Sequence, residues 1–154
     1  MATVSPARPV GLQVLSARFV ENGAGTYTAE FTLPAGSTLY DIVVTAEALW
    51  AAGTSASLQV GNAGDPDGFL TAVDLKATDL LAGESISIGG GTDTAGGTAG
   101  ADATVGTNTH IQDRYYSAES TITATVASVG AGTTGRTRVD ILFYTDPGAV
   151  EITQ

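Results

Sequence analysis

Apolar and polar residues alternate along most of the chain with a period of two. From 40 to 50 every even position is apolar, whereas the odd positions include Asp41, Thr45 and Glu47. A period of two places one face of a β-strand in a core and the other toward water. The segment is therefore predicted to form a long, half-buried strand.

Six further segments show the same alternation, and Gly, Pro or Asp residues separate them. They are 12–20, 27–33, 57–60, 85–88, 121–129 and 137–144. Seven or eight strands with frequent turns are typical of a sandwich or barrel, so we predict an all-β, antiparallel β-sandwich of jelly-roll type. The one candidate helix is 71–81, where the leucine spacing fits one or two turns.

The apolar positions of the long strands predict one shared core. Its members are Tyr40, Ile42, Val44, Trp50, Val139, Ile141 and Phe143. In 121–129 the apolar residues stand on one side, and a ladder of Thr121, Thr123 and Thr125 stands on the other. We expect these threonines to face water.

The ends of the chain lie outside the strand pattern, and its length of 154 residues fits a single domain. Residues 1–11 contain two prolines on either side of Arg8, which favours an extended N-terminal arm over a helix. The arm is either a terminus without a partner or a segment that docks through Val4, Arg8 and Val10. Residues 12–146 are predicted to form the sandwich, followed by a C-terminal tail at 147–154.

A long Gly-rich loop is predicted at 89–109. It consists mainly of Gly, Thr and Ala, and Val105 is its only large apolar residue. Such a segment buries too little apolar surface to offset the entropy lost on ordering. We favour a mobile surface loop, with an ordered interface element as the alternative.

Charge and composition exclude several classes of function. Six basic residues, one of them Lys, stand against sixteen acidic residues, and the net charge is −10. Phosphate binding needs clustered Lys and Arg, so we expect no nucleic-acid partner. The absence of Cys excludes disulfides and thiolate metal sites. No apolar run approaches the roughly 20 residues of a membrane span, and residues 1–6 do not resemble a secretory signal, so we expect neither membrane insertion nor export.

Catalytic motifs are missing from the sequence. His110 is the only histidine, and no Gly-x-Ser-x-Gly elbow accompanies it. No phosphate-binding loop, dinucleotide fingerprint or zinc spacing occurs. We therefore predict that the protein is not an enzyme and has no cofactor.

The most distinctive motif is Asp-Pro-Asp-Gly at 65–68, which predicts a tight turn whose glycine has positive φ. Phe69 and Leu70, which follow it, are expected to enter the core. Asn62, Asp65 and Asp67 are also a weak candidate set of oxygen ligands for calcium. Their spacing does not match an EF-hand loop, so the turn is the preferred interpretation.

Five segments together resemble small virion proteins of tailed bacteriophages. In order they are an LPAG-containing strand at 33–45, an LxVG strand at 56–61, the DPDG motif at 64–70, a Thr/Ala-rich strand at 116–124 and a hydrophobic strand at 138–144. The resemblance covers most of 30–145. Its DPDG part is specific to the group, whereas its Thr/Ala-rich parts are not.

The resemblance implies a capsid decoration (cement) or head-associated protein with a β-sandwich or jelly-roll fold. Such a protein is made in the host cytoplasm, binds the lattice of the major capsid protein on the outer surface of the virion, and stabilises the shell. The resemblance also implies a homotrimer. No catalytic or cofactor residue is carried over, because surfaces perform this role. An acidic chain suits the outside of a DNA-filled head.

Two other functions remain open. A jelly roll also serves as a carbohydrate- or receptor-binding module, for which Trp50, Tyr115 and Tyr116 are the candidate aromatic residues. The position of Trp50 on an apolar face counts against this function. A head-completion or tail protein is the second alternative, and the copy number per particle would separate it from a decoration protein.

Overall fold

The computed structural model describes residues 11–76, 79–88 and 114–145. These residues form nine β-strands and no α-helix, which confirms the all-β prediction. The strands are β1 (Gln13–Val20), β2 (Gly25–Leu33), β3 (Ser37–Ala48), β4 (Ser55–Asn62), β5 (Asp65–Asp74), β6 (Ser85–Ser87), β7 (Arg114–Tyr116), β8 (Ser120–Val129) and β9 (Arg136–Thr145). In this part of the chain no helix is long and apolar enough to span a membrane.

The strands form two antiparallel sheets whose pairing is that of a jelly roll. Sheet I has the order β1-β9-β3-β6, with β7 also pairing with β3, and sheet II has the order β2-β8-β4-β5. The first strand pairs with the last, β2 with β8, β3 with β6 and β4 with β5. This nesting is what results when one long hairpin of paired strands is rolled up. The predicted sandwich and its jelly-roll topology are therefore confirmed.

Two sequence predictions about the elements are wrong. There are nine strands rather than seven or eight, because two strands match none of the seven alternating segments: β5, which the sequence divides between a turn and a candidate helix, and the three-residue β7. The candidate helix at 71–81 begins as the last four residues of β5 and continues as a turn at 75–76. Val73 pairs with Leu58, and the Leu75 N–H donates to Ala56, so strand pairing prevails over the helical spacing of the leucines.

The core lies between the sheets and contains six of the seven predicted members: Ile42, Val44, Trp50, Val139, Ile141 and Phe143. Phe69 and Leu70 are also buried, as predicted. Tyr40 is 47% exposed, so its assignment to the core is wrong. Leu39 pairs with Phe143 and Asp41 with Leu142, which leaves two residues of β3 opposite one of β9. This β-bulge shifts the alternation, and Leu39 enters the core instead.

One end of the sandwich, here called the closed end, is held by Glu21. Its side chain is only 2% exposed, and its Oε2 accepts hydrogen bonds from the backbone N–H groups of Ala51, Thr134 and Gly135 at 2.9, 3.1 and 2.9 Å. Burial raises the pKa of this carboxyl, but the N–H groups together outweigh burial, and the net pKa is lowered. One carboxylate thus joins the loops that follow β1, β3 and β8.

Trp50 fills the closed end beside Glu21. Its indole N–H donates to Thr137 Oγ1 at 2.9 Å, and its ring meets that of Tyr27 edge to face at 5.4 Å. A Cβ on Gly135 would lie 2.5 Å from the indole, so this position needs glycine. Trp50 is therefore a structural residue of the closed end.

The Asp-Pro-Asp-Gly segment is not the turn that the sequence predicts. The turn lies at 63–64, and 65–68 already belong to β5, where Gly68 has no positive φ. Asn62 pairs with Asp65 while Val60 pairs with Leu70, so β5 bulges opposite Gly61. A Cβ on Gly61 would meet the Asp65 carbonyl oxygen at 2.1 Å, which explains why the bulge settles over a glycine.

Candidate interaction surfaces

Among the candidate site residues, Asn62, Asp65 and Asp67 lie within the described part of the chain, on the hairpin that joins β4 and β5. Asn62 Oδ1 accepts hydrogen bonds from the N–H groups of Gly64 and Asp65 at 2.9 and 3.1 Å, so it caps the hairpin turn. Asp67 lies half-buried on β5. No three His, Asp or Glu side chains of the described segments are grouped so that they could hold a metal ion. Val4, Arg8, Val10 and His110 lie outside the described residues, as do the loop at 89–109, the tail at 147–154 and all of the arm but Gly11.

A cleft of about 450 Å³ opens between the sheets at the end opposite Glu21. Its described lining is Asn62, Ala63, Gly64, Arg114, Tyr116, Ser120 and Thr121. The Arg114 guanidinium carbon lies 5.5 Å from the centre of the Tyr116 ring. Burial raises the pKa of Tyr116, and Arg114 opposes that shift only in part. This lining offers hydrogen-bond donors and acceptors but no carboxylate or imidazole, so it suits contact better than acid–base chemistry.

The outer face of sheet I has an apolar end, here called the tyrosine patch: Leu12, Val14, Tyr40, Tyr115 and Tyr144. Tyr144 and Tyr115 flank Thr38 in register, and Tyr40 projects from the neighbouring bulge. Val14 continues the surface on β1, where it lies opposite Leu142. The patch residues are 38–56% exposed, and they are five of the eight large exposed hydrophobic residues among those described. Exposed apolar side chains are thus concentrated on one face.

The other end of the same face has a charged cluster, here called the arginine network: Arg18, Glu47, Arg138 and Asp140. Arg18 Nε and Nη2 donate to the two Glu47 carboxylate oxygens at 2.8 and 2.9 Å, and Arg138 Nε donates to Asp140 at 2.9 Å. The hydrogen bond from Arg18 is the main reason why the pKa of Glu47 is lowered.

The arginines of the network lie above its acids. The Arg18 and Arg138 side chains are 53% and 42% exposed, against 21% for Glu47 and 14% for Asp140. The carboxylates therefore orient the guanidinium groups from below, and an approaching partner meets N–H donors.

The outer face of sheet II is different and is here called the hydroxyl face. Across β2, β8 and β4 it consists mainly of Thr, Ser and Gln, with Glu30 as its only charged residue. Thr28 pairs with Thr125, and Thr32 with Thr121, so the predicted threonine ladder does face outward. Val129, 52% exposed, is its one large apolar side chain. The two outer faces thus differ in chemistry.

The aromatic residues that sequence reasoning offered for sugar binding do not form one platform. Trp50 is buried at the closed end, Tyr116 lies half-buried in the cleft, and Tyr115 is exposed on sheet I. Sequence reasoning missed the exposure of Tyr40 and Tyr144. The exposure of Tyr144 could have been predicted, because Tyr144 follows the buried Phe143 in β9 and so points to the opposite face of the sheet. Tyr40 is exposed by a bulge that the sequence does not reveal.

Comparison with solved structures shows that the fold occurs in phage capsids. One match is a chain of the acidic stable capsid structure of Helicobacter pylori bacteriophage KHP30, with a TM-score of 0.58 and 14% identity over 93% of this chain and 94% of that one. Another is a chain of the cyanophage Pam1 capsid asymmetric unit, with a TM-score of 0.50 and 18% identity over 95% and 94%. No family model and no curated protein matches the sequence. At these identities the likeness establishes the shared fold.

Proposed function

We propose that this chain is a non-enzymatic structural protein of a tailed-phage capsid, which binds the outer surface of the head as a decoration (cement) protein and stabilises the shell. The observation that carries the proposal is the fold shared with two capsid chains over more than nine-tenths of each chain. Fold alone does not define function. The resemblance of five ordered sequence segments to virion proteins is a second line of support.

The charge of the chain fits the outer surface better than the inner one. A protein of net charge −10 is repelled by DNA, and the phosphates of a packaged genome lie against the inside of the shell. The outer faces of both sheets offer contact surfaces, namely the tyrosine patch and the arginine network on sheet I and the hydroxyl face on sheet II. Both features support binding from outside.

The proposed partners are the major capsid protein lattice and two further copies of the chain. A threefold ring uses a heterologous contact, in which one patch meets a different patch on the next copy. Light scattering at micromolar concentration is expected to report about three chains. A monomer both in solution and on the particle would contradict the homotrimer.

The stabilising role is tested with particles that lack the protein. Virions from a phage with the gene deleted are expected to release DNA at a lower temperature than wild-type virions. Adding back the purified protein is expected to restore the release temperature, because cement contacts hold neighbouring capsomers together. Wild-type virions with all sites filled serve as the control. Unchanged release without the protein would overturn the stabilising role.

A further inference from the structure

We propose that the outer face of sheet I is the face that docks on the shell, and that the hydroxyl face of sheet II points to solvent. The partner surface is a protein surface with carboxylates opposite the arginines and aliphatic side chains opposite the tyrosine patch. This inference rests on the proposed function and goes further, since it fixes the orientation of the chain and the chemistry of its partner.

The tyrosine patch supplies the apolar part of the contact. Tyr40, Tyr115 and Tyr144 are between 38% and 56% exposed; Tyr115 and Tyr144 flank Thr38, and Tyr40 lies two residues further along β3. Tyrosine buries a large rigid ring with few rotatable bonds, so it loses little entropy on binding, and its hydroxyl still finds a partner. Tyrosine is accordingly enriched at the centres of protein interfaces.

The arginines define the charge of the partner. Arg18 and Arg138 are held by Glu47 and Asp140 but expose 53% and 42% of their side chains. Arg136 also lies on this face and has no described carboxylate within ion-pair distance. Pre-oriented guanidinium groups bind carboxylates with little further loss of side-chain freedom. The complementary surface is therefore acidic.

The charge balance of this face permits its burial. The charged residues of β1, β3 and β9 are three arginines and three acids: Arg18, Arg136, Arg138, Asp41, Glu47 and Asp140. The net charge of −10 therefore arises entirely from the rest of the chain. An acidic partner approaches this face without meeting the repulsion that other surfaces present.

A second copy of the same face is a poorer occupant. It presents guanidinium groups rather than carboxylates at its surface, so it does not supply the acceptors that Arg136 lacks. The strands β1, β9, β3, β6 and β7 of sheet I have 8, 10, 12, 3 and 3 residues and together cover roughly 500–600 Å². That area is most of the roughly 800 Å² that each partner contributes to a standard interface.

The decisive experiment compares two valines with the same exposure. Val14 on sheet I and Val129 on sheet II are each 52% exposed, so Val14→Asp and Val129→Asp introduce the same charge on opposite faces. Each purified variant is first checked for an unchanged melting temperature. Binding to shells from the gene-deleted phage is then measured by co-sedimentation, and self-association by light scattering.

Val14→Asp is expected to bind shells at least tenfold more weakly, which is about 1.4 kcal/mol. Val129→Asp is expected to bind within twofold of wild type. Equal binding by the two variants, or a greater loss in Val129→Asp, would overturn the assignment while the proposed function stands. A Val14→Asp protein that loses self-association but still binds shells would also overturn it, because a second copy would then cover the face. A wild-type protein that does not bind shells would overturn the proposed function as well.

A second pair of substitutions tests the role of the arginines, and its result does not depend on whether the Val14→Asp protein folds. Arg136→Gln removes the cation on the outer face of sheet I that has no described carboxylate within ion-pair distance, and Arg114→Gln, which removes an exposed cation in the cleft, is the control. Arg136→Gln is expected to weaken shell binding severalfold and to reduce its dependence on salt, since it removes a charge contact with the partner. The reverse order of effects would contradict an acidic partner on this face.

Discussion

Glu21 provides the sharpest test of how the closed end is stabilised. Its Oε2 accepts three backbone N–H groups, at 2.9 Å from Ala51, 3.1 Å from Thr134 and 2.9 Å from Gly135. A single hydrogen bond to a charged group contributes about 1.5–3 kcal/mol to the free energy of unfolding, and the contributions of several bonds to one group are not additive. The hydrogen bond from Gly135 is buried, whereas those from Ala51 and Thr134 are partly buried. When the carboxylate is removed, water can therefore satisfy the N–H groups of Ala51 and Thr134 in part.

Glu21→Ala is expected to lower the free energy of unfolding by about 3–5 kcal/mol, because it leaves a buried N–H without an acceptor and opens a space beside it. Glu21→Gln keeps one carbonyl acceptor but loses the charge, so we expect a loss of about 1–2 kcal/mol. For a chain of this length the alanine variant should melt roughly 10 °C lower.

The assay is urea unfolding followed by fluorescence. Trp50 is the only tryptophan, and it precedes Ala51, whose N–H donates to Glu21, so its emission reports directly on the closed end. Glu30→Gln is the matched control, since Glu30 is exposed on β2 and undergoes the same change of charge. A loss below about 0.5 kcal/mol in Glu21→Ala would refute the role assigned to the carboxylate.

The contribution of Glu21 to the free energy of unfolding is expected to depend on pH. The pKa of Glu21 is lowered in the folded protein from its ordinary value of 4.5. The stabilisation is therefore complete above pH 4.5 and is lost as the pH falls through the lower, folded-state pKa. The difference in stability between wild type and Glu21→Gln is expected to be constant from neutral pH down to about 5 and to shrink below 4.5. A difference that persists unchanged at acid pH would contradict the lowered pKa.

Three further predictions concern packing, the bulge and the arm. Ile42→Ala and Phe143→Ala are each expected to lower the free energy of unfolding by about 2–5 kcal/mol in chemical denaturation. Tyr40→Ala is expected to lower it by less than about 1 kcal/mol, because the bulge exposes Tyr40. A change below about 0.5 kcal/mol for Ile42→Ala or Phe143→Ala would show that the residue is not part of the core. Gly61→Ala is expected to cost about 1–3 kcal/mol because its Cβ would overlap the Asp65 backbone, while Gly64→Ala, whose Cβ has no neighbour closer than 3.5 Å, should be near neutral in thermal unfolding. Deleting residues 2–10 should leave the domain folded but weaken shell binding or self-association at least tenfold, or about 1.4 kcal/mol, and unchanged binding would show that the arm has no partner.

The sequence predicts the fold well where strands pair without interruption. In β8 and β9 the alternation of apolar residues gives the buried face correctly at Ile122, Val126 and Ile141. The reason is that β8 pairs in strict register with β2 and β4, and the extra residues of the β3–β9 bulges lie in β3, so β9 itself stays regular. It fails at Tyr40 and at the segment 65–68. Both lie at bulges, whose positions depend on the partner strand and not on the local pattern.

The candidate docking face is not visible in the sequence for a different reason. Tyr40, Tyr115 and Tyr144 are distant along the chain and come together only through the pairing of β3 with β7 and β9. The bond from Arg18 to Glu47 likewise joins β1 to β3 across β9. Composition indicated that basic residues are scarce, but only the topology brings Arg18, Arg136 and Arg138 together on the outer face of one sheet.

The copy number per virion tests the central claim most directly. Purified virions of the phage that encodes this chain are analysed by quantitative mass spectrometry, with the major capsid protein as the internal reference. A decoration protein that occupies a repeated site of the head lattice is expected at hundreds of copies per particle. Its absence from virions, or a count of a handful to a few dozen as for a vertex or tail component, would contradict the proposed function.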